Sequence, residues 1–223
     1  MFNLVGPPVP LTEMNAVTKG DGLRLYEVGE GKWYPSVTTV TGNRKKDTII
    51  KWRKRVGEEA ANKISGQATA RGNRYHSMTE CYLKNEVVDF NDKYPLVNFM
   101  FKSSQKTLDR INNIHLLESP LYSDYFRIAG RVDCIAEFDS ELAVIDFKTS
   151  TKPKEESWIE NYFVQETAYA VMYYERCGVQ VDKIVTIIAV EDGSVQVIIK
   201  KNLDYYYALL CEYVKDFMES TIK

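Results

Sequence analysis

No apolar run in this 223-residue chain approaches the length a membrane-spanning helix needs. Cysteine is sparse and scattered. Cys81, Cys134, Cys177 and Cys211 include no C-x-x-C pair, which argues against a zinc site or an iron–sulfur cluster. Free thiols in a reducing compartment are the default reading. The stretch Met1 to Pro8 lacks the basic and apolar regions of a secretory signal and the Arg-rich pattern of a transit peptide, so a cytoplasmic location is expected. Neither sign of charge dominates. The formal net charge is −2, so no global basic field announces nucleic acid, and local distribution matters more than the sum. There is no internal repeat and no low-complexity linker.

What is present is the composition of a soluble globular protein, 44% hydrophobic and 27% charged. The length suits one domain with a substantial core, or at most two small ones. Residues 24–28 and 33–34 read as the arms of a hairpin turning at Gly29-Glu30-Gly31-Lys32. Ser36 to Thr41 is a β-branched run. Asp47 is placed as the N-cap of a helix to about Ile64, with further helices over about 69–83 and 95–111. Strands are expected at 115–122, 126–138 and 142–149, then a helix at 159–177, strands at 184–190 and 195–199, and a last helix at 203–220. Helices, an antiparallel meander, a crossover helix and more strands predict an α/β layered domain with a mixed central sheet.

Two apolar strands carry the chemistry. Asp133 follows Ile128-Ala129-Gly130, and Asp146 follows Leu142-Ala143-Val144-Ile145. A buried carboxylate is costly unless a cation or hydrogen bonds satisfy it. Residues i and i+2 of a strand share a face, so Asp146 and Lys148 point the same way, and the turn Asp139-Ser140-Glu141 can bring Asp133 beside them. Two carboxylates converging on one lysine suit a divalent metal and a polarised water, and so metal-dependent phosphodiester hydrolysis. D-x-K alone occurs by chance in many proteins, and a pair of capped or salt-bridged strand-end aspartates is the bland alternative.

With Gly130-x-x-Asp133, Ile145-Asp146-Phe147-Lys148-Thr149, Gln165-x-x-x-Tyr169 and the helical His76 in Arg71-Gly72-Asn73-Arg74-Tyr75-His76, the chain resembles the PD-(D/E)xK nuclease superfamily, in its RecB-like exonuclease branch. Pro35-Ser36-Val37-Thr38-Thr39-Val40 and the stretch through Lys154 narrow the likeness to the mitochondrial genome maintenance exonucleases and their phage and bacterial relatives. It covers about residues 33 to 200. The missing presequence favours a bacterial or phage member, working in the bacterial or the host cytoplasm. The resemblance implies a restriction-endonuclease-like core, a mixed central β-sheet flanked by helices, with an N-terminal helical DNA-binding arm. One nuclease domain is expected over 1–223: hairpin and basic arm to 66, catalytic core 67–200, and C-terminal helix 201–223.

The resemblance also implies roles. Asp133, Asp146 and the Phe147 carbonyl hold Mg²⁺ or Mn²⁺, metals that hard oxygen ligands select. His76 reaches the same site, whereas His115 is structural. Glu118 is either near the metal or an exposed strand glutamate. Lys148 polarises the attacking water and offsets phosphate charge, with a pKa depressed by the cation and a partly dry site. Gln165 is placed to hydrogen-bond Lys148 or a phosphate, with Tyr169 packed beside it. For nucleic acid, the basic run holds Arg44, Lys45, Lys46, Lys51, Arg53, Lys54 and Arg55 around Trp52, suited to phosphate neutralisation and base stacking. A solvated amphipathic helix would look the same. Arg71, Arg74, Ser36, Thr38, Thr149 and Tyr169 complete the expected DNA contacts.

The expected activity is a Mg²⁺- or Mn²⁺-dependent exonuclease on DNA, single strands or free ends, in replication, recombination or repair, with replication or recombination proteins as partners and no membrane. Two alternatives stay open: a structure- or site-specific endonuclease on the same core, and a non-catalytic nucleic-acid-binding protein with a relic site.

Overall fold

The computed structural model describes residues 1–20 and 22–221. In chain order it runs β1 (Ala16–Thr18), β2 (Arg24–Gly29), β3 (Lys32–Pro35), α1 (Val37–Gly42), α2 (Lys46–Val56), α3 (Glu58–Leu83), α4 (Pro95–Leu108), β4 (Ile111–Ser123), β5 (Ile128–Phe138), β6 (Glu141–Ser150), α5 (Glu160–Cys177), β7 (Lys183–Val190), β8 (Val195–Lys201) and α6 (Asp204–Thr221). Strands β1-β2-β3 form a small antiparallel sheet, and β4-β5-β6-β7-β8 form the main one. All neighbours in the main sheet are antiparallel except β6 and β7, which run parallel and are joined by α5. A parallel pair needs such a crossover because no tight turn can connect it.

Alternation along β6 divides the core. Val144 faces one apolar cluster with residues of α1, α5 and α6, while Ala143, Ile145 and Phe147 face the other, with residues of α3 and α4. The sheet is thus covered on both sides, as the α/β expectation required.

The β-branched run after Ser36, unassigned from the sequence, forms helix α1. Ser36 caps it, its Oγ accepting the Thr39 N–H at 3.0 Å, and Val37 and Val40, on one helical face, are fully buried. Two expectations are corrected. Asp47 is not a cap but lies in the first turn of α2. The helix break expected between 64 and 69 falls instead at Gly57, whose φ of +86° costs a glycine no Cβ clash. Helix α3 then runs without interruption through 66 and 67, where arm and core were expected to divide.

Candidate active site

Strands β5 and β6 separate at the site. Their pairing ends at Cys134 and Ile145; beyond it β5 stays with β4, and β6 with β7. The Asp133 carboxylate takes over as acceptor and receives the Phe147 N–H at 2.9 Å. A strand residue's N–H and C=O point to the same side, so the Phe147 carbonyl is turned toward that gap.

Asp133 also marks a slip in the strand. Val132 and Ile135 face one core cluster, while Cys134 and Ala136 face the other; strict alternation would put Cys134 with Val132. On β4, between the pairs Leu117–Cys134 and Ser119–Val132, Glu118 has φ of +43°, a conformation uncommon for a non-glycine residue and typical of strained functional positions. The distortion aims Glu118 at the site. His76 arrives from α3, its Nδ1 3.5 Å from Glu118 Oε1 and 3.7 Å from Asp133 Oδ2, its ring edge-on to Phe147. One ligand atom from each of His76, Glu118 and Asp133 lies within 4.8 Å of the other two. Burial pulls the His76 imidazole down, but Glu118 and Asp133 together outweigh it and lift the pKa to about 9. His115 is placed elsewhere, its Nδ1 2.8 Å from the Tyr173 hydroxyl.

Asp146 and Lys148 share the α5 face. Asp146 is 2% exposed, its Oδ2 paired with Lys148 Nζ and its Oδ1 accepting from Gln165 Nε2 at 3.0 Å. Burial pushes the Asp146 carboxyl up to about 6, against the opposing pull of Lys148. One expectation changes here: Gln165 bonds Asp146, not Lys148. Among the protein's own groups, burial lowers the Lys148 pKa, and the Asp146 and Asp133 carboxylates outweigh burial and raise it.

Tyr169 is 3% exposed. Its hydroxyl lies 2.6 Å from where a Cβ on Gly130 would stand, so the glycine exists to admit the tyrosine. Tyr169 is therefore corrected from a DNA contact to a packed wall of the site. Ser36, at 2% exposure, is likewise withdrawn from the DNA-facing set, because its hydroxyl is spent on the cap. Thr38 is exposed beside it. Arg71 bonds Thr149 Oγ1 at 3.2 Å and pairs with Glu191. Arg74 holds Asp89 at 2.9 Å and lies over Tyr94. Arg53 is tied to Glu58 and Asn62. Lys51 and Arg55 are exposed on α2, a helix with no buried residue, and Trp52 is half-buried there.

Two residues that the motifs do not mark also line the site. Tyr162 is the ring over which Lys148 Nζ sits, 5.2 Å from its centre; its place three residues before Gln165, on one helical face, was the readable signal. Glu166 is fully buried and accepts from Thr186 Oγ1 at 2.5 Å. Burial, then Asp146, push its carboxyl well up. A glutamate amid the buried stripe Phe163–Tyr173 was its only trace in the sequence.

Hard donors beside a buried carboxylate–lysine pair can hold a cation and stabilise charge on a phosphate. Human Mitochondrial genome maintenance exonuclease 1 is 29% identical over 174 residues, 72% of this chain and 50% of that protein. The mouse protein is 29% identical over 156 residues, 66% of this chain and 45% of its own length. That of Xenopus tropicalis is 29% identical over 161 residues, 66% and 44%. This chain spans about half the length of these relatives. The sequence profile of the PD-(D/E)XK nuclease superfamily matches residues 37–202, from helix α1 past the end of β8. The match takes in both parted strands, the site helix α3 and the crossover α5, and on that extent the chain belongs to the PD-(D/E)XK nuclease superfamily.

Proposed function

We propose that this chain is a divalent-metal-dependent deoxyribonuclease that digests DNA from free ends, single strands in particular, in replication, recombination or repair. The observation that carries the reading is the convergence of His76, Glu118 and Asp133 with the Asp146–Lys148 pair where β5 and β6 part. Exonuclease in the names of the human, mouse and frog relatives supports the mode of attack.

The donor set fits a hard cation. Carboxylate oxygens and one imidazole nitrogen suit Mg²⁺ or Mn²⁺, and Glu118 and Asp133 already lean toward a positive charge, that of protonated His76. His76, Glu118, Asp133, Asp146 and the Phe147 carbonyl would hold the ion. When bound, it supplies Lewis-acid stabilisation of phosphate charge and a more acidic water.

The protein's own groups do the rest. Lys148, paired with Asp146, acts as a donor and a fixed charge. It offsets negative charge growing on the phosphate and orients the attacking water. Gln165 holds Asp146 in register with it. Tyr162 and Tyr169 wall the α5 side. Lys46, Lys51, Lys54 and Arg55, which have no ion pair among the described residues, neutralise phosphates along the arm.

The test is digestion of a linear single strand labelled separately at each end, beside a circular strand, with Mg²⁺, Mn²⁺ or chelator. Metal-dependent loss of the linear strand alone is expected, and the order of label release gives polarity. Cleavage of the circle would establish an endonuclease. Binding without cleavage of either would leave a relic site.

A further inference from the structure

The basic run was expected to stack a base on Trp52. Trp158 offers a more exposed platform than Trp52. Trp158 is 64% exposed at the end of a short turn, residues 156–158, that leads into α5. The turn is held rather than loose. Lys45 Nζ donates to the Trp158 carbonyl at 2.9 Å and to Asn161 Oδ1 at 2.5 Å, and Lys200 pairs with Glu156. Lys45 is itself fixed by its neighbour: Arg44 reaches the other way, to Asp216 at 2.6 Å and over the Tyr213 ring.

Lys45 is the unusual member. It is half-buried, yet both its acceptors are neutral, so its charge has no carboxylate partner among the described residues. Burial and the nearby Lys154 both act against its charge. Lys154 is fixed too, its main chain clasped by Gln196 at 2.7 and 3.0 Å, and no ion pair among the described residues engages its ammonium. A tethered, half-buried ammonium with a second cation near it, neither paired with an anion among the described residues, describes a site shaped for one. Its place is defined by Tyr162. Lys45 Nζ lies 6.0 Å and Lys148 Nζ 5.2 Å from the centre of that one ring.

We propose that Trp158, Lys45 and Lys154 form a subsite for one unpaired nucleotide next to the scissile phosphate. The base stacks on the exposed indole and its phosphate lies against the two ammoniums. A base inside a duplex has both faces covered by its stacked neighbours, so the subsite selects single strands without reading sequence. This rests on the nuclease reading and adds to it the source of strand preference.

The test is binding of a fluorescein-labelled oligothymidylate in chelator, followed by anisotropy, with digestion of the same strand in Mg²⁺ alongside. Trp158→Ala should weaken binding about 5- to 100-fold and raise KM more than it lowers kcat, while Trp158→Phe keeps most of the affinity. Lys45→Met should reduce the salt slope of log K by about 0.7. Binding unchanged in Trp158→Ala, or lost equally in Trp158→Phe, overturns the subsite. The arms separate the two proposals. A wild-type chain that binds as described but cleaves nothing leaves the subsite standing and removes the nuclease reading. A chain that cleaves normally with Trp158→Ala removes only the subsite.

Discussion

The two halves of helix α3 are held by different forces. From Asn62 to Ala70 every residue is exposed, Ile64 among them, whereas Tyr75, Met78, Thr79 and Leu83 are buried against α4 and the sheet. The second half therefore draws its order from packing and can fix His76 to within hydrogen-bonding precision. The first half, with α2, buries only Ala61, is tied across the break by Arg53 to Glu58 and Asn62, and leaves cations facing solvent. A site needs side chains over-determined by their surroundings; a surface that grips a backbone of varied sequence needs only charge and reach. The division of labour follows from where apolar residues stop recurring along one helix.

The packed half breaks most sharply at Lys148. Lys148→Ala removes the donor beside Asp146 and should lower turnover by roughly 10³-fold, with the far-ultraviolet dichroism little changed. Activity within tenfold of wild type would place the chemistry elsewhere.

Gly130→Ala tests the same half through packing alone. The new methyl would meet the Tyr169 hydroxyl at 2.6 Å, and a buried ring has nowhere to move. Overpacking of this kind costs about 1–3 kcal/mol, which for a chain of this length lowers Tm by roughly 2–12 °C. Tyr169→Phe in the same chain should restore most of the loss. Additive losses in the double variant would show that the two residues do not meet.

The parts of this comparison differ in how well the sequence announces them. The β4–β6 meander, the crossover helix and the parallel return were legible because strand and helix periods change cleanly there. The carboxylates and the lysine were legible because charges following apolar runs demand a reason. Helix α1 was not, because a β-branched run reads as strand until Ser36 is seen to cap it. The break at Gly57 was not legible either, because it depends on a positive φ. Glu118 stayed undecided because its orientation depends on a positive φ, which no pattern of residue types encodes. Tyr169 looked like an aromatic contact for DNA because its burial depends on Gly130, thirty-nine residues away in sequence.

His76 sharpens the comparison by pH. Its folded pKa of about 9 lies above the ordinary value of 6.5, so protonation favours the folded state. That contribution is complete below about pH 6.5 and is lost as pH rises through 9. In chelator, the native chain should lose up to about 3 kcal/mol relative to His76→Gln over that window. Metal binding must displace the same proton, so affinity for Mn²⁺ should rise with pH across it. A flat difference in Tm between the two proteins from pH 6 to 10 would remove the ion pair from the account.

The arm half gives the smallest effect on stability. Lys51 and Arg55 are exposed and without ion pairs among the described residues, so replacing both by alanine should change stability by no more than about 0.5 kcal/mol. The same variant should lower the salt slope of single-strand binding by about 0.7 per cation removed. Arg44→Ala, from the same basic run, should do the reverse. It loses Asp216, Glu212 and the Tyr213 ring, at a cost of about 1 kcal/mol, and leaves the slope alone, because its charge is already neutralised within the fold. Equal slopes for the two variants would mean that a cation's place in the run, rather than its pairing, decides whether it meets phosphate, and the line drawn through α3 would then divide nothing.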